Sequence, residues 1–124
     1  MKHLLVVEDE PRLRALYQLE LEAEGYEVDT AADAHEALQK IEEQKTDVVI
    51  LDLKLPGKSG LELLREIIVL APRSGVIINT AYDIYRYDFT SWGADAFLIK
   101  SSDLTDLKRS IARFVRGAQN ENLN

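Results

Sequence analysis

The feature that most constrains the fold is a fivefold alternation of short apolar runs with segments of helical periodicity. The apolar runs, at residues 4–7, 26–31, 47–51, 76–78 and 94–99, have the length and β-branched content of strands. Strands that alternate with helices in this way form a parallel sheet covered on both faces. The pattern therefore predicts an α/β fold with a doubly wound, five-stranded parallel sheet between two layers of helices.

The connections between these strands narrow the topology further. Right-handed crossovers leave only a few doubly wound arrangements, and we predict the flavodoxin-like order 2-1-3-4-5. This order places the ends of the first and third strands side by side at a switch point. The helix signal at residues 82–92, before the fifth strand, is the weakest. At 124 residues the chain is predicted to be one domain over residues 1–117, with a polar C-terminal tail at 118–124.

Polar residues stand where four of the predicted strands end. Glu8 and Asp9 follow the first strand, Asp52 the third, Thr80 ends the fourth and Lys100 follows the fifth. Carboxyl ends of parallel strands share one edge of a sheet, so these side chains are predicted to meet there. Each alone is more simply a cap, a turn former or a solvated residue. Only a shared site explains why all of them fall on the same edge.

Clustered carboxylates repel one another unless a positive charge compensates them. Three acids without a nearby histidine or cysteine favour Mg²⁺, with Mn²⁺ as a second candidate. If Asp52 accepted a phosphoryl group, Lys100 would pair with the Asp52 carboxylate before the transfer and with a phosphoryl oxygen after it. The Thr80 hydroxyl would donate a hydrogen bond to another phosphoryl oxygen. A carboxylate nucleophile, a cation, an ammonium and a hydroxyl are the groups that phosphoryl transfer needs.

Composition excludes several other classes of function. Acidic residues outnumber basic ones 22 to 15, and the formal charge of −7 argues against nucleic-acid binding. The absence of cysteine excludes disulfides and thiolate metal sites. No run has the length of a membrane span, and an acid pair interrupts the apolar start too early for a signal peptide. We therefore expect a cytoplasmic protein that binds no membrane.

The segment of residues 52–60, together with the acid pair, Thr80-Ala81, Phe97 and Lys100, resembles the receiver domain of two-component response regulators. The resemblance implies that Asp52 accepts a phosphoryl group from a histidine kinase or a histidine phosphotransfer protein. It implies a magnesium site made by Glu8, Asp9, Asp52 and the backbone carbonyl of Lys54, with Thr80 and Lys100 reading the phosphate. Thr80 and Phe97 would be the switch residues.

The same resemblance implies a phosphorylated switch domain rather than an enzyme with a substrate of its own. The expected output is binding to a downstream protein or to a second copy, through the fourth helix, fifth strand and last helix. We expect a stand-alone receiver without a DNA-binding output domain. The sequence departs from the family where Ser101 and Ser102 replace the usual proline after the lysine.

Two rival functions are weighed against this one. A phosphatase of the haloacid-dehalogenase type would also use an aspartyl-phosphate, but it needs a second acid two residues after the nucleophile, where this chain has Lys54. A flavodoxin-like cofactor carrier would need a glycine- and hydroxyl-rich loop after the first strand, where this chain has an acidic turn. His3 and His35 have no partners in the sequence pattern and are read as incidental.

Overall fold

The computed structural model describes residues 2–81 and 92–123, and the side chains of the last helix only as far as residue 117. Five parallel strands form one sheet in the order β2-β1-β3-β4-β5, which confirms the predicted topology. The strands are β1 His3–Val7, β2 Glu27–Ala31, β3 Val48–Leu51, β4 Gly75–Thr80 and β5 Ala96–Ile99. Observed and predicted strand ends differ by two residues at most, because apolar runs seldom mark where ladder pairing stops.

Four helices lie within the described residues, and each begins where the local chemistry favours a helix. They are α1 Pro11–Ala23, α2 Ala34–Glu43, α3 Gly60–Leu70 and α4 Thr105–Leu123. The side chains of Glu10, Asp33 and Ser59 cap the first three by accepting hydrogen bonds from backbone N–H groups. Gly25 ends α1 with a positive φ of 96°, a conformation that suits glycine.

The last helix is longer than the sequence pattern predicted. Its apolar stripe stops near Val115, yet the helix continues to Leu123 through the segment predicted as a polar tail. Segment 117–123 contains no proline, and one glycine costs a helix only about 1 kcal/mol, so nothing local stops it. Most of the predicted fourth helix, residues 82–91, lies outside the described residues.

The sheet separates two apolar clusters, one on each face. One joins alternate strand residues such as Leu5 and Ile78 to α2 and α3, and the other joins residues such as Leu4 and Ile77 to α1 and α4. Strands β1, β3 and β4 are buried on both faces, which is why they read as continuous apolar runs. Among the described residues, no helix is both long and apolar enough to cross a membrane.

Candidate functional site

The site lies at the carboxyl edge of the sheet, where β1 and β3 run side by side. Register pairs Val7 with Leu51, and the backbone N–H of Asp52 donates to the Val7 carbonyl at 3.2 Å. Immediately after β1, the N–H of Glu8 donates a hydrogen bond to the carbonyl of Ala31 in β2 at 3.0 Å. These ladder contacts fix where the chain turns out of the sheet, so the acidic residues that follow the two strands emerge together.

Three carboxylates meet at this edge. One oxygen from each of Glu8, Asp9 and Asp52 lies within 4.8 Å of the others. Glu8 and Asp52 are buried, whereas Asp9 is exposed at the rim. Burial raises the pKa of Glu8, and the nearby ammonium of Lys100 offsets part of that rise. The cluster thus concentrates negative charge where little water can screen it.

Lys100 is the positive charge at the centre of this cluster. Its Nζ lies 2.8 Å from Asp52 Oδ2 and 2.5 Å from Glu8 Oε1. Burial alone would lower the pKa of Lys100, but the hydrogen bonds and charges of the two carboxylates outweigh it, and the pKa lies well above its ordinary value of 10.5. The lysine is therefore fully charged, and one positive charge faces three carboxylates.

The remaining predicted site residues are Lys54, Thr80 and Phe97. The N–H of Lys54 donates to Asp52 Oδ1 at 3.1 Å, so both oxygens of that carboxylate have a partner that fixes their direction. Thr80, at the end of β4, is fully buried, and its carbonyl accepts from the Lys100 N–H at 2.8 Å. Phe97, in β5, pairs with Ile78 of β4, and its half-buried side chain packs against the α2–α3 side of the core.

The acidic cluster fits a divalent cation. Glu8 Oε1 is buried, and its contact among the described residues is the ion pair with Lys100 at 2.5 Å, so the oxygen has no partner besides that shared ammonium. Three carboxylates with one ammonium leave a net deficit of positive charge, and the donors are all hard oxygens. Such a set suits Mg²⁺ or Mn²⁺.

One contact to the acid pair was not predicted from the sequence. Arg14, one turn into α1, donates through Nη1 to the carbonyl of Glu8 at 3.0 Å and to that of Asp9 at 3.3 Å. The guanidinium thereby holds the turn that carries both acids. An arginine five residues after an acid pair, near the start of a helix, is the sequence signal that could have suggested this contact.

A second unpredicted contact lies just beneath the site. Asn79 Nδ2 donates to the hydroxyl of Tyr17 at 3.2 Å, and both side chains are buried. Asn79 precedes Thr80 in β4, so the two side chains leave opposite faces of the strand. The pair therefore ties α1 to the strand that ends in Thr80.

The reading of His3 as incidental is wrong. Its Nε2 lies 2.7 Å from Asp29 Oδ2 and its Nδ1 lies 3.0 Å from Glu27 Oε2, both on the neighbouring strand β2. The hydrogen bond to Asp29 and the two carboxylate charges raise the pKa of His3, although burial opposes the shift. This cluster lies at the β1–β2 end of the sheet, away from the acid site, and serves to join two strands.

Comparison with known proteins gives one family throughout. The family model for the response regulator receiver domain matches residues 4–112. The response regulator ArlR of Staphylococcus saprophyticus is 35% identical over an alignment of 124 positions, which covers 99% of this chain and 56% of ArlR. ArlR of Staphylococcus aureus is 36% identical over 117 residues, 94% of this chain and 53% of ArlR. The chain thus spans about half the length of these curated relatives.

Solved structures agree with the sequence relatives. TrrA of Thermotoga maritima, crystallised with Mg²⁺ and BeF, is 45% identical with a TM-score of 0.86, covering 92% of this chain and 99% of TrrA. In another crystal structure TrrA is in complex with the histidine kinase ThkA, at a TM-score of 0.84 and 92% coverage of this chain. A CheY-like receiver domain from Methanospirillum hungatei is 33% identical with a TM-score of 0.91, covering 98% of both chains.

Proposed function

The chain belongs to the response regulator receiver domain family, and from that premise we propose that Asp52 is its phosphoacceptor. The observation that carries the proposal is the contact of Lys100 Nζ with Asp52 Oδ2 at 2.8 Å, inside a cluster that also contains Glu8 and Asp9. Asp52 is held from both carboxylate oxygens, by the Lys54 N–H on Oδ1 and by Lys100 on Oδ2, so its orientation is fixed beside a charged partner. That is what a nucleophile for phosphoryl transfer requires.

The phosphoryl donor is proposed to be a histidine kinase or a histidine phosphotransfer protein. An oxygen of Asp52 forms a bond to phosphorus as the bond from phosphorus to the donor's imidazole nitrogen breaks, and the imidazole leaves neutral or takes up a proton. The similarity to TrrA, which was crystallised in complex with a histidine kinase, supports this donor class. Asp52 remains as an aspartyl-phosphate, with no other group of the chain modified.

Glu8, Asp9, Asp52 and the Lys54 carbonyl are proposed to hold Mg²⁺, with Mn²⁺ as the alternative. The bound cation would neutralise part of the charge on the transferred phosphoryl group. Lys100 stabilises one phosphoryl oxygen after it releases Asp52, because its ammonium already lies at hydrogen-bond distance from that carboxylate. Thr80 is proposed to donate its hydroxyl to a further oxygen.

The output is proposed to be a change in protein binding. Phosphorylation would draw Thr80 toward the phosphate and allow Phe97 to move, which would alter the face built from the predicted fourth helix, β5 and α4. The ligand of that face would be a downstream protein or a second copy of the chain. Phe97 carries no hydroxyl, so its two positions would differ by packing alone. We also propose that the site works in the cytoplasm.

Incubation with acetyl phosphate and Mg²⁺ tests the proposal. Intact mass should rise by one phosphoryl group, the label should be lost in acid and in base, and chelation of the metal should prevent labelling. The matched control is Asp47→Asn, which removes an aspartate at the opposite edge of the sheet and should leave labelling intact. An Asp52→Asn protein that labels to the same extent as the unmodified chain would overturn the assignment.

A further inference from the structure

A cavity of about 320 Å³ opens beside the phosphorylation edge, between the end of β5 and the start of α4. Its apolar lining residues are Phe97, Leu98, Ile99, Leu104 and Leu107, of which Leu98, Leu104 and Leu107 belong to the apolar cluster on the α1–α4 face of the sheet. Its polar lining residues are Asn79, Ser101, Asp103 and Asp106. Ligand pockets range from about 300 to about 1,000 Å³, so this cavity lies at the small end of the range and has room for one long side chain.

The charged residues that line the cavity are all acidic. Asp103 and Asp106 contribute two carboxylates, and none of the nine lining residues is basic. Asp103 uses Oδ1 to accept from the backbone and hydroxyl of Thr105, which leaves Oδ2 without a hydrogen bond among the described residues. Arg109 approaches Asp106 only to 3.4 Å, and both side chains are more than half exposed, so that pair neutralises little.

The cavity also reaches the strands that carry the site. Asn79 and Ile99 both line it, and they directly precede Thr80 and Lys100 in the sequence. The amide of Asn79 is 5% exposed and bonded to Tyr17, so its position is fixed from within the core. An occupant would therefore lie against two strands whose next residues belong to the acid site.

We propose that this cavity is an anchor pocket for an arginine side chain of a protein partner. The apolar walls suit the methylene stem, and the two carboxylates suit the guanidinium, which is weakly hydrated and forms paired hydrogen bonds with carboxylates. Arginine is also among the residues that most often anchor protein interfaces from small, desolvated pockets. Leucine would leave the carboxylates unpaired, and an acidic side chain would be repelled.

This inference names a side chain that the proposed interaction face would bind. It rests on the proposed function only for the role of that binding in signalling. Binding itself requires neither Asp52 nor phosphorylation, because neither Asp52 nor the other two acids of the site line the cavity. An Asp52→Asn protein should bind the same arginine peptide as the unmodified chain. Loss of labelling and loss of peptide binding are thus separate results.

The experiment titrates the full ¹⁵N-labelled chain with the capped peptide acetyl-Ala-Leu-Arg-Leu-Ala-amide and follows backbone amide shifts. Saturable shifts are expected at Leu98, Ser101 and Leu104, with a dissociation constant on the order of 1 mM for one small anchor. Replacing the peptide's arginine by norleucine should weaken binding at least about fivefold, since two charge-assisted contacts are lost. A glutamate peptide should not bind.

A matched pair of variants identifies the site of binding. Asp103→Asn with Asp106→Asn should weaken the arginine peptide by at least about fivefold and leave the norleucine peptide unchanged. Glu42→Gln with Glu43→Gln removes the same total charge from an exposed part of α2 and should leave both affinities unchanged. Equal affinity for the two peptides, equal loss in both variants, or no shift near the cavity would each overturn the proposal.

Discussion

Replacing Lys100 by methionine should destabilise the fold far more than removing an ordinary ion pair. The ammonium contacts Asp52 and Glu8, whose side chains are only 6% and 2% exposed, while that of Lys100 itself is 19% exposed. Removing one partner of a buried pair costs about 3–5 kcal/mol, because the remaining charge stays buried without compensation. Partial access of water to the lysine favours the lower end, so we expect about 3 kcal/mol.

The assay is urea unfolding at pH 7 without divalent metal. With a slope of about 2 kcal/mol per molar urea, the midpoint should fall by roughly 1.5 M. Lys108→Met is the matched control, because Lys108 pairs with Glu20 at a similar 2.9 Å but on the surface. That pair should contribute about 0–1 kcal/mol, and its loss should barely move the midpoint.

Two further measurements separate charge repulsion from lost packing. Mg²⁺ should restore more stability to Lys100→Met than to the unmodified chain, since it binds the folded acids and replaces the missing positive charge. Lowering the pH should shrink the difference between the two proteins, because burial raises the pKa of Glu8 and protonation removes the repulsion. Equal midpoints for the two methionine variants, or a difference that persists in acid, would refute the reasoning.

Three other outcomes are expected. Arg14→Ala should weaken Mg²⁺ binding several-fold by calorimetry without unfolding the chain, because the carbonyls of the acid turn lose their clamp; unchanged affinity would remove that role. Because the pKa of His3 is raised in the folded state, its ion pair with Asp29 should stabilise the fold fully below about pH 6.5. This contribution should disappear as the pH rises through the folded-state pKa of His3. Unfolding measured across this pH range should show the trend for the unmodified chain and not for His3→Gln. Gly60→Ala should lower the melting temperature, because its Cβ would lie 2.3 Å from the Cα atom of Leu53. Gly117→Ala is the control, since a Cβ there meets open space within a helix and should raise stability by about 0.5–1 kcal/mol. An unchanged melting temperature for Gly60→Ala would contradict this packing.

The topology could be predicted because three central strands are buried on both faces. Their runs at 4–7, 48–51 and 76–78 are continuously apolar, and few arrangements of such strands with right-handed crossovers exist. The convergence of the acids, Thr80 and Lys100 follows from the same rule, since each lies at the carboxyl end of its strand. Predicting that a residue lies at the end of a strand requires no knowledge of its rotamer. The prediction therefore holds even when the strand boundary is misplaced by a residue or two.

The contacts that sequence reasoning missed all depend on register or on side-chain direction. His3 meets Glu27 because the β1–β2 register pairs those two residues, and no local pattern shows that register. Tyr17 meets Asn79 across 62 positions of chain, where only the packing of α1 on β4 brings them together. The end of the last helix was missed for another reason, because a polar segment without a breaker can extend a helix whose apolar stripe has already ended.

Lys100 alone does not balance the negative charge of the acidic cluster. Lys100 bridges Asp52 and Glu8, but Asp9 lies close to both and adds a third negative charge. A second lysine would still leave one carboxylate uncompensated, whereas a divalent cation together with Lys100 would balance all three. The deficit of positive charge leaves the metal-free cluster unfavourable, so a divalent cation bound there would relieve a repulsion that folding has already imposed. The same deficit that lowers stability without metal would therefore favour the binding of a metal ion at this edge of the sheet.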